Sequence, residues 1–408
     1  MSGLGVLADR QFRRYFLGQT TSWLGDGLLP VAISFAVLEL TGSASDLGLV
    51  LAVQLISVSI FVLAGGVWAD RLPRQWVMIA SDVVRGATQA VLAVLLLTGS
   101  AELWHLLVLQ SVYGAAEAFW RPASTALLPS LVPAEGLQRA NSLLAVAVNG
   151  AYTVGPAVAG LIVATSSPGI AIAVDAATFA VSAAALLTLR VPRLQEPAGH
   201  LSFLTELREG WREFASRTWL WVVVAWASLF LMLVVAPLKV LGPVVADSEL
   251  GGAADWGLIT ASSGIGVIVG SLAAARLRPA RPMFVAVILG SASALFAVSL
   301  GLALPVALIA AATFAEGVGH GLFEVIWITA LQQRVTPAAL ARVSAYDALG
   351  SFVFMPIGFA IAGPAADAVG TQDALFAIAA FAVASSVLVA FLPAVRGFRS
   401  RSPAYAPR

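Results

Sequence analysis

The chain of 408 residues has a formal net charge of +1, with 59% hydrophobic and 11% charged residues and a mean hydropathy of +0.91. Such a composition excludes a water-soluble protein, and the absence of cysteine excludes disulfides, thiol catalysis and Cys-ligated metals. The chain is therefore expected to be an integral membrane protein.

Apolar segments of roughly 20 residues or more recur along the chain, separated by short polar breaks. Each is about as long as a helix must be to cross a hydrocarbon core of ~30 Å. No segment alternates apolar and polar residues with a period of two, so a β-barrel is excluded and the fold class is all-α, with about twelve transmembrane helices. The predicted segments are 15–39, 47–69, 75–98, 103–127, 139–165, 168–190, 219–243, 255–275, 282–302, 304–331, 342–364 and 372–393.

The placement of charge predicts the orientation of these helices. Arginines precede the first segment and occupy every second connection after it, whereas the opposite connections hold acidic residues, with Lys239 as the only basic residue near that side. Because positively charged loops stay in the cytoplasm, both termini of this multi-pass protein of the cell membrane are predicted to be cytoplasmic. The first segment is too long for a signal peptide and has no obvious cleavage site.

The connection between the second and third segments, residues 65–75, carries the most informative motif. Its paired glycines allow close backbone approach, its charges mark the exit from the lipid, and its proline stops the helix. The spacing resembles the loop signature of the major facilitator superfamily of secondary transporters, carried here by Gly66, Asp70, Arg71 and Arg74. That resemblance implies a latch that closes the cytoplasmic side between two helical bundles. The alternative is a positively charged turn that follows the general charge rule.

The two halves of the chain repeat weakly. Residues 126–142 resemble residues 330–344, with Ala-Leu, Pro, Arg and Ser in the same order, and the pair Gly150 and Pro156 recurs at 350 and 356. A parallel repeat of this length predicts two pseudo-symmetric six-helix bundles. The predicted domains are the first bundle at 1–190, a cytoplasmic linker with an amphipathic helix at 191–217, the second bundle at 218–393 and a cytoplasmic tail at 394–408.

Three further stretches narrow the resemblance. Residues 121–133, 140–143 and 175–179 look like the superfamily subgroup that contains macrolide-efflux pumps and the enterobactin exporter. The similarity covers essentially the whole chain. It implies a drug:proton antiporter of the kind that confers multidrug resistance, and it does not identify the substrate.

Asp26 is the first candidate for proton coupling. It lies about 11 residues into the first segment, and at 1.5 Å per residue this is ~17 Å deep, near the midplane of the bilayer. Gln19, Ser22 and Trp23 share its face, which predicts a helix that lines an aqueous cavity. A carboxyl group there would suit proton uptake and release. The alternative is a structural carboxyl group that is hydrogen-bonded to a neighbouring helix.

Further ionisable residues lie in the third and fourth segments. Glu117 and Arg121 are four residues apart on a polar face that also holds Tyr113, so they can pair. Two interpretations stay open. The pair is a switch, because protonation of the acid would free the arginine, or it is a static pair near the cytoplasmic interface. Asp82 and Arg85, three residues apart, are expected to brace the latch.

The tenth segment carries Glu316, His320 and Glu324 at successive steps of four, so the three share a face. A proton relay through Glu316 and His320 is one interpretation, since histidine titrates near neutral pH. In the other, Glu324 is solvated at the membrane edge and His320 makes a packing hydrogen bond. Asp175 and Asp347 are expected to be structural.

The fifth segment resembles a superfamily motif of exporters that exchange substrate for protons, carried here by Gly150, Gly155, Pro156 and Gly160. Glycines on one face allow close helix contact, and a proline promotes a kink. An amphipathic substrate would suit a cavity with aromatic and amide side chains, although such residues also serve packing. The candidates for that cavity are Trp23, Tyr113, Asn149, Tyr152, Trp226, Phe230, Trp327 and Phe354.

These patterns favour a secondary transporter that exports a hydrophobic or amphipathic small molecule, drug or secondary metabolite, in exchange for protons. The alternatives are a lipid-moving or importing transporter and, less favoured, a membrane-embedded sensor or enzyme. The sequence has no phosphate-binding loop, nucleophile motif or metal-ligand spacing, so an ATP-driven pump is excluded and no enzymatic activity is expected. We expect a monomer that contacts its substrate and membrane lipids, without nucleic acid, metal or cofactor, and with the proton gradient as its energy source.

Overall fold

A computed structural model of the chain describes residues 3–191, 211–277, 279–336, 343–344, 346–347, 350 and 353–399. For residues 3–4, 63–71 and 134 it describes the backbone alone. No strand occurs in the described ranges. The all-α fold class predicted from the hydropathy pattern is confirmed.

Six long helices form the first half of the chain, and they begin and end within a few residues of the predicted segments. Asp9 starts the first of them, because its carboxylate accepts hydrogen bonds from the backbone N–H groups of Gln11 and Phe12 at 2.8 and 2.9 Å. Gly42, with φ of +64°, ends it. The helices are α1 (Arg10–Thr41), α2 (Ala44–Arg71), α3 (Arg74–Leu97), α4 (Leu103–Leu127), α5 (Leu137–Thr165) and α6 (Pro168–Leu187).

Six further long helices follow, of which two contain a change of helical pitch. A π-helical turn interrupts the first at Leu231–Val235, and a 3-10 turn interrupts the third at Gly290–Ala292. The helices are α7 (Thr218–Glu249), α8 (Ala253–Ala274), α9 (Pro282–Gly301), α10 (Val306–Arg334), α11 (Met355–Val369) and α12 (Thr371–Phe391). Residues 211–215 are helical too, whereas the rest of the predicted linker helix, from residue 202, lies outside the described residues.

Ten of the helices are long and apolar enough to cross a membrane, with α2 counted over Ala44–Val62. α4, which carries the polar stripe, and α11, with 15 described residues, complete the predicted twelve. The largest difference from a predicted end is in α7. α7 continues six residues past the predicted end at 243, because Asp247 and Glu249 belong to its last turns and not to a connection.

The chain divides into two compact units. Unit 1 comprises Met1–Pro197 and Gly242–Ala261, and unit 2 comprises Ala198–Leu241 and Ser262–Arg408. In unit 1, α1 packs against α5 and α6, α3 packs against α4 and α6, and α2 packs against α4. In unit 2, α9 packs against α10 and α12. The domain boundaries proposed from the sequence stay predictions.

Candidate functional site

Asp26 lies midway along α1, 16 residues from its first residue and 15 from its last. Its side chain is 11% exposed. The hydroxyl of Tyr113, on α4, donates a hydrogen bond of 2.7 Å to Asp26 Oδ1. This carboxyl group is therefore held by a neutral donor from another helix and is within reach of solvent.

Arg85, on α3, is the cation that faces Asp26. Its Nη1 lies 3.8 Å from Asp26 Oδ1, and its Nη2 lies 2.7 Å from Oδ1 of Asp82. The arginine side chain is only 2% exposed, and its guanidinium carbon lies 4.4 Å from the ring centre of Phe179 and 5.3 Å from that of Trp120. Aromatic faces stabilise a buried guanidinium. The planar guanidinium has several N–H groups, so this single arginine contacts two carboxyl groups.

Asp82 is held from its other side by α6. The hydroxyl of Ser182 donates a hydrogen bond of 2.6 Å to Asp82 Oδ2, and the amide of Gln19 donates one of 2.9 Å to the Ser182 oxygen. All three side chains are buried. Gln19 therefore points into the packed interior of unit 1, and Ser22 is buried as well.

A second polar branch extends from α3 to α4 and α6. The amide of Gln89 donates a hydrogen bond of 3.1 Å to Asp175 Oδ2, and the amide of Gln110 lies 3.5 Å from Gln89 Oε1. All three residues are fully buried. Among the described residues, Asp175 Oδ1, Gln110 Oε1 and Arg85 Nε have no hydrogen-bond partner, although they belong to the same polar interior.

Glu117 and Arg121 pair on α4, as the spacing predicted, with Arg121 Nη2 2.6 Å from Glu117 Oε1. The arginine side chain is 62% exposed and that of the glutamate 18%. An exposed pair of this spacing contributes only about 0.3–0.5 kcal/mol to stability. The choice between a switch and a static pair stays open.

The loop motif is only partly described. The side chains of Gly66, Asp70 and Arg71 lie outside the described residues. Arg74 donates a hydrogen bond of 2.9 Å to the carbonyl oxygen of Ala126, so it ties the start of α3 to the end of α4. Asp82 and Arg85, the expected braces of the latch, lie in the buried cluster with Asp26.

Two motif glycines of α5 make close backbone contacts. A methyl group on Gly155 would lie 2.5 to 2.7 Å from backbone atoms of Gly27 on α1, and one on Gly160 would meet the backbone of Ala253 on α8. Gly150 differs, because a methyl group there would have no neighbour within 4 Å. Pro156 lies inside α5, next to Gly155.

Unit 2 contains a second set of ionisable candidate residues. Glu316, on α10, accepts a hydrogen bond of 3.1 Å from the hydroxyl of Ser263 and is within electrostatic range of His320 and Lys239. His320 and Glu324 are exposed. Lys239 was missed as a site residue because the predicted helix ended four residues after it, whereas α7 ends ten residues after it, at Glu249. A lysine that deep in a membrane helix is itself a sign of function.

The candidate cavity residues fall into two groups. Five of them pack inside their own unit, with side chains no more than 9% exposed: Trp23, Tyr113, Trp226, Phe230 and Trp327. The other three, Asn149, Tyr152 and Phe354, are exposed. An apolar recess of about 680 Å³ lies elsewhere in unit 1, between α3 and α4 at Trp76 and Phe119, and includes neither Asp26 nor Arg85.

The chemistry that this arrangement allows follows from its charges. Asp26 faces Arg85, and a bound proton would neutralise an ionised Asp26 and remove its attraction to the guanidinium. Asp26 thereby connects α1 to α3 through Arg85 and to α4 through Tyr113. Within the described residues, no cluster of three histidine, aspartate or glutamate side chains is placed to bind a metal ion.

Solved structures share the fold. The nucleoside transporter NupG matches with a TM-score of 0.75 at 13% identity, over 93% of this chain and 98% of that one. A bacterial homologue of the human lysosomal transporter Spinster matches with a TM-score of 0.71 at 15% identity, over 96% and 98%. The fold is that of the major facilitator transporters.

Residues 1–304 match the family described as transmembrane secretion effector, and the chain belongs to this family of major facilitator transporters. It is 27% identical to macrolide efflux protein A of Streptococcus pyogenes over 244 residues, which cover 59% of this chain and 60% of that protein, less than two thirds of its length. It is 28% identical to the multidrug efflux pump Tap of Mycolicibacterium fortuitum over 400 residues, covering 92% and 94%. The chain is thus a multi-pass membrane protein of this family.

Proposed function

We propose that this transporter exports hydrophobic or amphipathic small molecules in exchange for protons, by alternating access. The carrying observation is Asp26, a carboxyl group midway along α1 that accepts a hydrogen bond from Tyr113 and faces a single buried cation, Arg85. An ionisable group at this depth in a membrane is costly, so it is usually retained for a function. Proton exchange fits Asp26 because protonation would change its interactions with Tyr113 and Arg85.

The partners of Asp26 support a coupled cycle. While Asp26 is ionised, Arg85 is shared between Asp26 and Asp82, which links α1 to α3. When Asp26 binds a proton, this link weakens and Arg85 is left to Asp82. Protonation thus changes the contacts between helices of unit 1, and such a change can favour one access state over the other.

The substrate class rests on the relatives. Their names specify macrolide efflux and multidrug efflux. Exposed aromatic and amide side chains at Asn149, Tyr152 and Phe354 would suit contact with such molecules. The arginines predict that both termini lie in the cytoplasm, so export here means movement from the side of the termini to the opposite side of the membrane.

The test replaces Asp26 by asparagine, which keeps the size of the side chain and removes the titratable group. We expect Asp26→Asn to lower pH-gradient-driven transport by about 100-fold or more, with expression and thermal stability retained. The measurement is transport of a panel of amphipathic drugs, including a macrolide, in proteoliposomes with and without an imposed pH gradient.

The matched control is Asp373→Asn, because Asp373 is exposed in the first turn of α12. This variant should transport like the parent. Full gradient-driven transport by Asp26→Asn would show that Asp26 does not couple proton movement to substrate.

A further inference from the structure

Asp175 is a buried carboxyl group with an incomplete set of partners. It lies on α6 and is 0% exposed, and its Oδ2 accepts one hydrogen bond, from the Gln89 amide at 3.1 Å. Its Oδ1 has no hydrogen-bond partner, and no cationic side chain lies within 4.0 Å of it among the described residues. A carboxylate in these surroundings would be strongly disfavoured, so the contacts of Asp175 favour the protonated acid.

The charge balance of the cluster agrees. Three carboxyl groups, Asp26, Asp82 and Asp175, share the polar interior of unit 1 with one guanidinium, that of Arg85. Arg85 already contacts Asp82 at 2.7 Å and Asp26 at 3.8 Å. No positive charge in the cluster is left for Asp175 while Asp26 is ionised.

Asp175 lies next to the residue that precedes Asp26. A methyl group on Gly25 would lie 2.5 Å from Asp175 Oδ1, so only a glycine allows α1 and α6 to approach this closely here. The titratable or charged groups that face Asp175 are Asp26 on α1, Arg85 on α3 and Tyr113 on α4. Asp26 and Asp175 interact electrostatically, so the two carboxyl groups do not ionise independently.

The cluster also contains an unused donor on Arg85 and unused acceptors on Gln19, Gln110 and Asp175, of which Asp175 alone is ionisable. Arg85 Nε is buried and has no acceptor among the described residues, just as Asp175 Oδ1 has no donor. A protein interior seldom leaves both a donor and an acceptor of one cluster unpaired. In a state in which Asp175 is ionised, Arg85 Nε would donate a hydrogen bond to Asp175 Oδ1.

We propose that Asp175 is a second proton-binding residue of the coupling site and the alternative partner of Arg85. In the structure described, Asp175 holds the proton and Asp26 is the anion. In the next step the O–H bond of Asp175 breaks and an O–H bond forms on Asp26, so that Arg85 loses its attraction to Asp26 and pairs with the Asp175 carboxylate. This inference rests on the proposed proton-coupled function.

Infrared spectroscopy of the purified full-length protein tests the first half of the proposal without a substrate. The parent at neutral pH should show the C=O stretching band of a protonated carboxyl group. Asp175→Asn should lack it, and the control Asp373→Asn should keep it. Absence of the band in the parent, or its persistence in Asp175→Asn, would overturn the proposal.

A second variant remains informative if Asp175→Asn fails to fold. Gln89→Met removes the one hydrogen bond to Asp175, which stabilises the anion more than the acid. The band should then persist to higher pH than in the parent, by ~1 pH unit for the loss of one charge-assisted hydrogen bond. A titration identical to that of the parent would contradict the assignment.

Transport measurements separate this proposal from the proposed function. Asp175→Asn should lower gradient-driven transport by about 100-fold or more, as Asp26→Asn does. If Asp26→Asn abolishes coupling and Asp175→Asn transports with the pH profile of the parent, Asp175 is a structural acid and only the further inference fails. If Asp26→Asn transports fully, the proposed function fails first.

Discussion

Arg85 is the residue on which the polar interior of unit 1 depends. It contacts two carboxyl groups, and its guanidinium lies against the ring of Phe179. A lysine could not replace these contacts, because its ammonium group is compact and lacks the planar fork. The i,i+3 spacing of Asp82 and Arg85 indicated a pair, and only the packing of α1, α3 and α4 brought Asp26 and Tyr113 to it.

At this residue we expect Arg85→Met to destabilise the protein by about 3–5 kcal/mol, because Asp82 would be left as a buried, unpaired charge. The measurement is the midpoint of thermal unfolding in detergent. The double variant Arg85→Met with Asp82→Asn should recover part of the loss, since it removes the unpaired carboxylate. An unchanged midpoint in Arg85→Met would mean that the cluster is solvated and does not depend on this pair.

At the scale of helices, glycine contacts determine how closely the elements of unit 1 approach. Gly27 on α1 and Gly155 on α5 meet backbone to backbone, and Gly160 on α5 meets α8 near Gly257. The first of these contacts lies directly after Asp26, so the position of α1 depends on it. The sequence motif in α5 thus has a packing basis independent of transport direction.

Gly155→Ala should destabilise the protein by about 1–3 kcal/mol, because its methyl group would overlap the backbone of Gly27. Gly150→Ala is the matched control from the same helix. It should be neutral or stabilising by about 0.5–1 kcal/mol, because a methyl group there meets nothing and alanine favours the helix. Thermal unfolding of the two variants decides the matter, and equal midpoints would refute the close contact.

At the scale of the whole molecule, the described residues contain twelve long helices, and their orientation is predicted from charge. The arginine-rich connections are predicted to face the cytoplasm, which places the turn between α3 and α4 outside and the connection between α4 and α5 inside. This orientation defines which direction of transport across the membrane is export and which is import.

Single cysteines test the orientation cleanly because the chain has none of its own. A membrane-impermeant maleimide should label Ser100→Cys, in the exposed turn after α3, on intact cells. Glu135→Cys, in the exposed segment after α4, should be labelled only once the cells are permeabilised. The reverse labelling pattern would mean that the chain has the opposite orientation to the one that its arginines predict.

The sequence by itself predicted about twelve membrane helices and most of their ends, because helix hydrogen bonds are local and the bilayer sets the length of each apolar run. Its motifs indicated the family. It also assigned single polar residues to helix faces, since the repeat of 3.6 residues per turn fixes which residues of one helix share a face. Asp26 and the pair of Glu117 and Arg121 were found in this way.

Only the tertiary structure decided which of those residues meet. Tyr113 and Asp26 are 87 residues apart, and Gln89 and Asp175 are 86 apart, on helices whose rotation and separation depend on glycine contacts and on packing throughout the unit. Periodicity within one helix carries no information about its neighbour. For the same reason Asp175 was expected to be structural, and its missing partners became visible only where α1, α3 and α6 pack together.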